Sequence, residues 1–163
     1  MLKAIDVAEY FLATDKTGKL KDKTVLRLNN RTPYAGNVRL NKYLHIAQNL
    51  YIAKTGNKLF DDDLYAYDNG AVALEVLDKF RILINRDTKP SIPTEVAEWL
   101  DKVAELLKDA TIEELIAISH EDKEWQNKCR YYDKAAQKMD SLAHADEFRE
   151  QYADALYVLE EMI

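Results

Sequence analysis

The stretch "LNKYLHIAQNLYIAKTG", residues 40–56, indicates one long helix that is buried on more than one side. Its apolar and aromatic residues recur at spacings of three and four, which is the periodicity of one helical face. That stripe consists of Leu40, Tyr43, Leu44, Ala47, Leu50 and Tyr51. Ile46 and Ile52 lie off the stripe, so we expect other elements to cover the helix from several directions. The residues predicted to lie in the core are Tyr43, Leu44, Ala47 and Leu50.

The ends of this helix carry residue types that favour helix caps. Asn37 is predicted as its N-cap and Gly56 as its C-cap. The preceding residues 16–37 mix Lys with Asp and read as a loop, in which Leu26 to Leu28 predict one short strand. A first amphipathic helix, ending near Thr14, precedes that loop. Its apolar face is formed by Ile5, Ala8, Phe11 and Leu12.

Downstream, the segment "DDDLYAYDNGAVALEV", residues 61–76, predicts a loop, a short strand and a turn that enters a helix. The acidic run opens the loop, and Leu64 to Tyr67 are the predicted strand. Asn69 and Gly70 are residue types that accept the positive φ values of a tight turn. Helical spacing returns with Val72, Val76, Leu77 and Phe80.

The remaining chain is helical in pattern. Residues 85–93 contain two prolines and predict a linker between helices. Residues 96–107 form a strongly amphipathic helix, and Thr111 to Glu114 has the spacing of a capping box. The sequence therefore predicts one mostly α domain over residues 1–163, with six or seven helices and at most a small β element around 24–28 and 58–67.

Composition limits the function classes. The 163 residues carry a net charge of −6, which disfavours binding of a nucleic-acid backbone. Charged residues interrupt the first apolar segment, so it is neither a secretion signal nor a membrane span, and we expect a cytoplasmic protein. Cys129 is the only cysteine, which excludes an internal disulfide, and it is predicted to be an inert thiol.

Motifs of catalysis, metal binding and phosphate binding are missing from the sequence. It has no G-x-G-x-x-G, no P-loop pattern, no G-x-S-x-G and no H-E-x-x-H. His45 is predicted to be a hydrogen-bonded imidazole inside the long helix. His120, Glu121 and Asp122 are adjacent and would point in different directions on a helix. We therefore predict no catalytic residue, no metal site and no cofactor.

Two segments resemble the Panacea-domain family of SocA-like antitoxins, which are often phage-associated. Residues 38–76 resemble the family signature, and residues 115–126, "LIAISHEDKEWQ", resemble its later segment. Gly70-Ala71 stands where the family has Gly-Pro, and Tyr67 where it has Trp. The matching positions are Leu40, Lys42, Leu44, Ala47, Gln48, Tyr51, Ala53, Gly56, Leu59, Phe60, Ala66, Gly70, Val72, Glu75, Val76, Leu115, Ser119, His120 and Trp125.

The resemblance implies a non-enzymatic antitoxin that neutralises a protein toxin encoded next to it, either by blocking the toxin or by delivering it to a protease. We expect the partner surface to lie at or beside the stretch Tyr65 to Gly70, together with His120 and Trp125 of the later segment. The residues expected there are Tyr65, Tyr67, Asn69, Gly70, His120 and Trp125. Alternation puts both tyrosines on one side of the strand, where they would serve as interface anchors or equally as core residues.

Two other function classes stay open at this stage. One is a phage-encoded enzyme or nucleotide-binding protein whose site carries no recognised motif. The other is an acidic interaction protein of the phage cycle that is unrelated to toxins.

Overall fold

The computed structural model describes residues 1–86, 89–129 and 136–162. These ranges form eight α-helices, one 3₁₀ turn and a three-stranded sheet, which confirms the mostly helical prediction and divides it more finely. The helices are α1 (Ala4–Thr14), α2 (Ala35–Thr55), α3 (Leu74–Leu83), α4 (Thr94–Leu107), α5 (Ile112–His120), α6 (Lys123–Cys129), α7 (Ala145–Gln151) and α8 (Ala153–Glu161). The strands are β1 (Tyr65–Tyr67), β2 (Gly70–Val72) and β3 (Gln137–Lys138).

Helix α2 is the centre of the fold. It packs against α1, α3, α4, α5, α7 and β2, so it is covered from nearly every direction. Of its 21 residues, all but Asn37, Tyr51, Lys54 and Thr55 are buried. Leu44, Ala47 and Leu50 are 0% exposed and Tyr43 is 4% exposed, which confirms the predicted core stripe.

The caps of α2 agree with the sequence at one end only. Gly56 has the left-handed φ of 78°, and its N–H donates to the carbonyl of Ile52, so the predicted C-cap is confirmed. The predicted N-cap at Asn37 is wrong, because α2 already begins at Ala35. The Asn37 side chain instead donates 3.1 Å to the carbonyl of Leu77, which ties α2 to α3.

The start of α1 depends on the acidic run before β1. Asp62 Oδ1 accepts a 2.8 Å hydrogen bond from the N–H of Ala4, one of the helix donors that has no partner inside the helix. Asp61 also pairs with Lys3 at 3.7 Å. The acidic run is thus partly a structural clamp on α1.

The loop before α2 contains a narrow turn in place of the predicted strand. The 3₁₀ turn Lys19–Lys21 is followed by two isolated bridges, Val25 with Tyr34 and Leu28 with Arg31. Asn29 between them has a φ of 56°. The bridges hold this loop as a flap whose tip reaches the β1–β2 turn.

The sheet has the order β2-β1-β3, and both pairings are antiparallel. Tyr67 pairs with Gly70, so Asp68 and Asn69 form a two-residue turn. This turn feeds β2 and not a helix directly, which corrects the sequence prediction; α3 begins only at Leu74. Of the two residues expected at positive φ, only Gly70 adopts it, at 126°. β3 was not predicted.

The other helices close one apolar core around α2. Trp99, Leu100, Val103, Leu115, Phe148 and Leu159 are its buried contributions from α4, α5, α7 and α8. Thr111 and Glu114 form the predicted capping box at α5. Within the predicted linker 85–93, Asp87 and Thr88 lie outside the described residues.

Candidate functional site

The β1–β2 hairpin presents two tyrosines on one side, as the alternation predicted. Tyr65 and Tyr67 are half-buried, whereas Ala66 between them points into the core and is 1% exposed. Both tyrosines therefore keep part of their surface exposed to solvent. The burial of these tyrosines is intermediate between that of a core residue and that of a free surface residue.

The loop before α2 covers the tip of this hairpin. The Arg31 guanidinium lies 4.7 Å from the centre of the Tyr67 ring, and its Nε is 3.3 Å from Oδ1 of Asp68. The Asn29 side chain donates 2.8 Å to Oδ1 of Asn69. The two turn residues are thus positioned by the flap as well as by their own strands.

Gly70 is required by the crowding behind the hairpin. A Cβ at this position would lie 2.6 Å from Oγ of Ser119 and 2.7 Å from Nζ of Lys42. Its φ of 126° is also one that other residues rarely adopt. Glycine therefore lets the hairpin backbone approach both the end of α5 and the middle of α2.

His120 and Trp125 hold the back of the same hairpin. Their rings stack in parallel at 4.0 Å, and Trp125 Nε1 donates 2.7 Å to the carbonyl of Tyr67. The pKa of His120 is lowered, first by burial and then by the positive charge of Lys42, while the backbone of Asn69 opposes the shift. The hydrogen bond from Trp125 to the Tyr67 carbonyl joins the two sequence segments that resemble the family.

The predicted site residues therefore form one patch with one outlying member. Tyr67, Gly70, His120 and Trp125 meet at the hairpin, and Asn69 lies at its tip. Tyr65 lies further along β1, where it pairs with Val72 and Lys138. Whether a partner binds this patch stays a prediction.

The predicted hydrogen-bonded imidazole of His45 is confirmed, but it belongs to a polar network inside the core whose other members sequence reasoning missed. His45 is 0% exposed, with Nδ1 at 2.9 Å from Ser119 Oγ and Nε2 at 2.6 Å from Asp122 Oδ2. Asn49 donates to the same Asp122 oxygen at 3.0 Å and to the hydroxyl of Tyr152 at 3.1 Å. This network fastens α2 to the junction of α5 and α6.

The serine, histidine and aspartate of this network resemble a hydrolase triad in composition only. Ser119 and Asp122 are each 1% exposed, so a substrate carbonyl has no access to the serine oxygen in this arrangement. Burial acts to raise the pKa of Asp122, but hydrogen bonds from His45, Asn49 and the N–H of Glu124 lower it to about 2. The network is built to stabilise a carboxylate in the core.

Lys42 is the second residue whose placement the sequence did not reveal. It is 2% exposed, and burial lowers its pKa to about 8, while the carboxylate of Asp68 opposes that shift. A signal existed: Lys42, His45 and Asn49 follow one another at spacings of three and four, which is a polar stripe beside the apolar stripe of the same helix.

Metal, thiol and membrane chemistry find little support in the described ranges. No group of three or more His, Cys, Asp or Glu residues there is arranged to hold a metal ion. Burial, followed by the charge of Asp68, raises the pKa of Cys129, which makes it a poor thiolate. None of the helices formed by the described residues is long and apolar enough to cross a membrane.

These features define a small, mostly helical domain. Its β1–β2 hairpin is held in place by hydrogen bonds from α6, and its core contains a polar network. The chain belongs to the Panacea-domain family, because the family model "Antitoxin SocA-like, Panacea domain" matches residues 40–126, more than half of its length. The match includes α2 from Leu40 onward, the hairpin, and the His120–Trp125 stack. No curated protein and no solved structure matches the chain.

Proposed function

We propose that this protein is an antitoxin that neutralises a protein toxin by binding it, and that the toxin is encoded beside it. The observation that carries the proposal is membership in a family described as SocA-like antitoxins. The matched region contains the whole β1–β2 hairpin with its two half-buried tyrosines, and the His120–Trp125 stack behind it.

The proposed toxin-binding surface consists of Tyr65, Tyr67, Asn69, Gly70, His120 and Trp125. Half-buried aromatic rings provide contact area at a low entropic cost, because they are already ordered before binding. Arg31 over the Tyr67 ring adds a cation at the same place. Arginine and tyrosine are both enriched among the residues that dominate binding energy in interfaces.

We propose no catalytic role for the protein. The buried Ser119–His45–Asp122 network lacks substrate access, and His120 has its ring against Trp125. The proposed location of the protein is the bacterial cytoplasm. Its gene is proposed to belong to a bacterial or prophage toxin–antitoxin pair. Direct blocking of the toxin and delivery to a protease are both compatible with binding at the hairpin.

Co-expression with the adjacent reading frame tests the proposal. We expect that the neighbour alone arrests growth, that this protein restores growth, and that the two proteins copurify. Growth rescue in a strain without the main cytoplasmic proteases separates blocking from delivery. Rescue without any physical complex, or a neighbour with no toxicity, would contradict the proposal.

The non-enzymatic part of the proposal has its own test. Purified protein is expected to show no hydrolysis of generic ester, phosphate or nucleotide substrates. Hydrolysis that disappears in a folded His120→Ala or Ser119→Ala variant would overturn it.

A further inference from the structure

A cavity of about 310 Å³ lies between the start of α2, the flap and the β1–β2 hairpin. Its walls are mainly apolar and come from Pro33, Val38, Val72 and Leu77. The volume is at the lower end of the range of roughly 300–1,000 Å³ found for small-molecule sites. The cavity is therefore large enough for one small organic molecule or for one side chain of a partner.

The polar group at this cavity is the ammonium of Lys42. The residue is 2% exposed, lines the cavity, and has its Nζ beside Gly70, which lines the cavity too. Among the described residues, this ammonium forms no hydrogen bond and no direct ion pair, and the charge of Asp68 is the acidic influence on it. Buried charges are normally paired directly, so this ammonium favours an anionic ligand in the cavity.

Asn41 and Asp68, two other polar residues of the cavity wall, are already engaged. Asn41 donates to the carbonyl and the Oδ1 of Asn37 at 3.0 and 2.9 Å, and its own Oδ1 accepts from the N–H of Ala73. The carboxylate of Asp68, the one acidic group that lines the cavity, is held by Arg31. The cavity therefore has two cations and one anion in its wall, although the whole chain has a net charge of −6.

We infer that this cavity binds a single carboxylate carried on a short apolar body, with Lys42 as the counter-ion. The apolar walls would bury the body, and the ammonium would donate to the carboxylate. A phosphate fits less well, because its second negative charge would be placed near Asp68 and the cavity has only one unengaged cation. This inference does not depend on the antitoxin proposal, since it uses only the cavity and its charges.

The carboxylate has two candidate sources. It can be a free small carboxylic acid, or an acidic side chain of the proposed toxin, because Tyr67, Asn69 and Gly70 line the cavity and also belong to the proposed surface. The chemistry at Lys42 is the same in both cases. The experiment below therefore first tests the carboxylate site and then its source.

The first test titrates sodium benzoate into protein labelled with ¹³C and ¹⁵N, at constant ionic strength, with benzamide and inorganic phosphate as controls. We expect saturable shifts of the Lys42 Cε and Nζ signals and of the Val72 and Leu77 methyls. We expect benzamide and phosphate to bind with an affinity about tenfold or more below that of benzoate. This factor corresponds to the loss of one charge-assisted hydrogen bond. Equal binding of benzamide, or no saturation, would overturn the inference.

Three variants sharpen the test. Lys42→Met is expected to weaken benzoate binding by about tenfold or more, whereas Lys54→Met, an exposed lysine change on the same helix, should leave it unchanged. Asp68→Asn should tighten binding several-fold at a pH where the Nζ signal shows that Lys42 is still protonated, because the change removes the one negative group of the wall but also removes a charge that supports the protonated form of Lys42. Wild-type affinity in folded Lys42→Met, or weaker binding in Asp68→Asn, would show that the charge arrangement is not the binding determinant.

The source of the carboxylate is determined by binding measurements with the toxin that copurifies with this protein. If the toxin supplies the carboxylate, benzoate competes with toxin binding and Lys42→Met weakens the complex. If toxin affinity is the same with saturating benzoate and in Lys42→Met, the site takes a free acid. Failure to find any toxin would contradict the proposed function and leave the benzoate result intact, so the two failures are distinguishable.

Discussion

Trp125 Nε1 donates a 2.7 Å hydrogen bond to the backbone carbonyl of Tyr67. The same carbonyl also accepts from Sγ of Cys129 at 3.6 Å, so α6 holds β1 at two points. The ring of Trp125 is fixed from its other side by the parallel stack on His120. The position of the hairpin therefore depends on a helix that lies more than fifty residues later in the chain.

Trp125→Phe should loosen the hairpin. The change keeps an aromatic ring for the stack but removes the donor to Tyr67, and we expect a loss of about 1 kcal/mol of stability from the hydrogen bond. Amide hydrogen exchange of Ala71 and Val72 should accelerate. Trp99→Phe is the matched control, because Trp99 packs on Tyr51 away from the hairpin and its Nε1 has no hydrogen bond. Equal acceleration in both variants would contradict the role given to Trp125.

Leu44→Ala should be strongly destabilising. Leu44 is 0% exposed in the centre of α2, and truncation of a buried leucine costs about 2–5 kcal/mol through lost burial and a cavity. Urea unfolding measures the loss. Ile82→Ala is the control, since Ile82 is 56% exposed on α3 and should change stability by about 0.5 kcal/mol or less. A loss below about 1 kcal/mol for Leu44→Ala would place this residue outside the core.

The core of the fold was predictable because its signal is local and periodic. The α2 stripe and the Gly56 cap follow from spacing and from one residue type, and both are confirmed. Asn37 shows where local reasoning fails, because its amide is used by the carbonyl of Leu77 and not by the helix end. β3 has only two residues and exists through pairing with β1, so no periodicity could reveal it.

The candidate site was predictable only in part. The strand with Tyr65 and Tyr67 and the turn at Asn69-Gly70 follow from the residue pattern, and the His120–Trp125 pair follows from resemblance to the family. The pairing of β1 with β2 and the contact of Trp125 with the Tyr67 carbonyl are products of the tertiary fold. The buried roles of Lys42 and His45 depend on which elements cover each side of α2. The polar stripe in the sequence indicates that one side of α2 carries polar residues. It does not indicate that this side is buried.

Lys42→Met should change how stability depends on pH. The folded-state pKa of Lys42 is lowered from 10.5 to about 8, so the unfolded chain binds more protons between these values and stability rises with pH there. Below pH 8 the buried charge costs about 3 kcal/mol, and above 10.5 it costs nothing. Lys42→Met should therefore be at least as stable as wild type at neutral pH.

Chemical denaturation of both proteins from pH 7 to 10 measures this effect. The difference between the two should shrink as the pH rises, because only the wild type gains stability from Lys42. His120, whose pKa the charge of Lys42 lowers, titrates below this range, so the groups that titrate within it contribute nearly equally in both proteins and cancel in the comparison. A constant difference across this range would mean that Lys42 is not a buried, unpaired ammonium.

Asp122→Asn should reduce the acid sensitivity of the protein. The pKa of Asp122 is lowered to about 2 in the folded state, so its contribution of about 2 kcal/mol is present above pH 4 and is lost as the pH falls toward 2. The variant lacks this contribution and should show a flatter decline in that range. Asp78→Asn, an exposed change on α3, is the control and should follow the wild type. An identical acid decline in all three proteins would exclude Asp122 as a determinant.

Substitution of the two β1 tyrosines distinguishes an interface role of these residues from a core role. Tyr65 and Tyr67 are half-buried on the same side of the hairpin, and Tyr67 lies under the Arg31 guanidinium. We expect Tyr65→Ala and Tyr67→Ala each to lower toxin affinity by about 1–2 kcal/mol or more while the folded protein keeps a melting temperature near that of the wild type. Calorimetric titration with the copurified toxin and thermal unfolding provide the two measurements.

Tyr157→Ala is the matched control for this pair. Tyr157 is 67% exposed on α8, so its removal tests the loss of a surface tyrosine as such. If β1 carries the interface, affinity falls only in the two hairpin variants and growth rescue falls with it. A core role predicts the reverse order, with stability lost first and affinity lost only in proportion to unfolding, because the toxin would then contact neither ring. Unchanged affinity and growth rescue in folded Tyr65→Ala and Tyr67→Ala would exclude the hairpin as the toxin-binding surface.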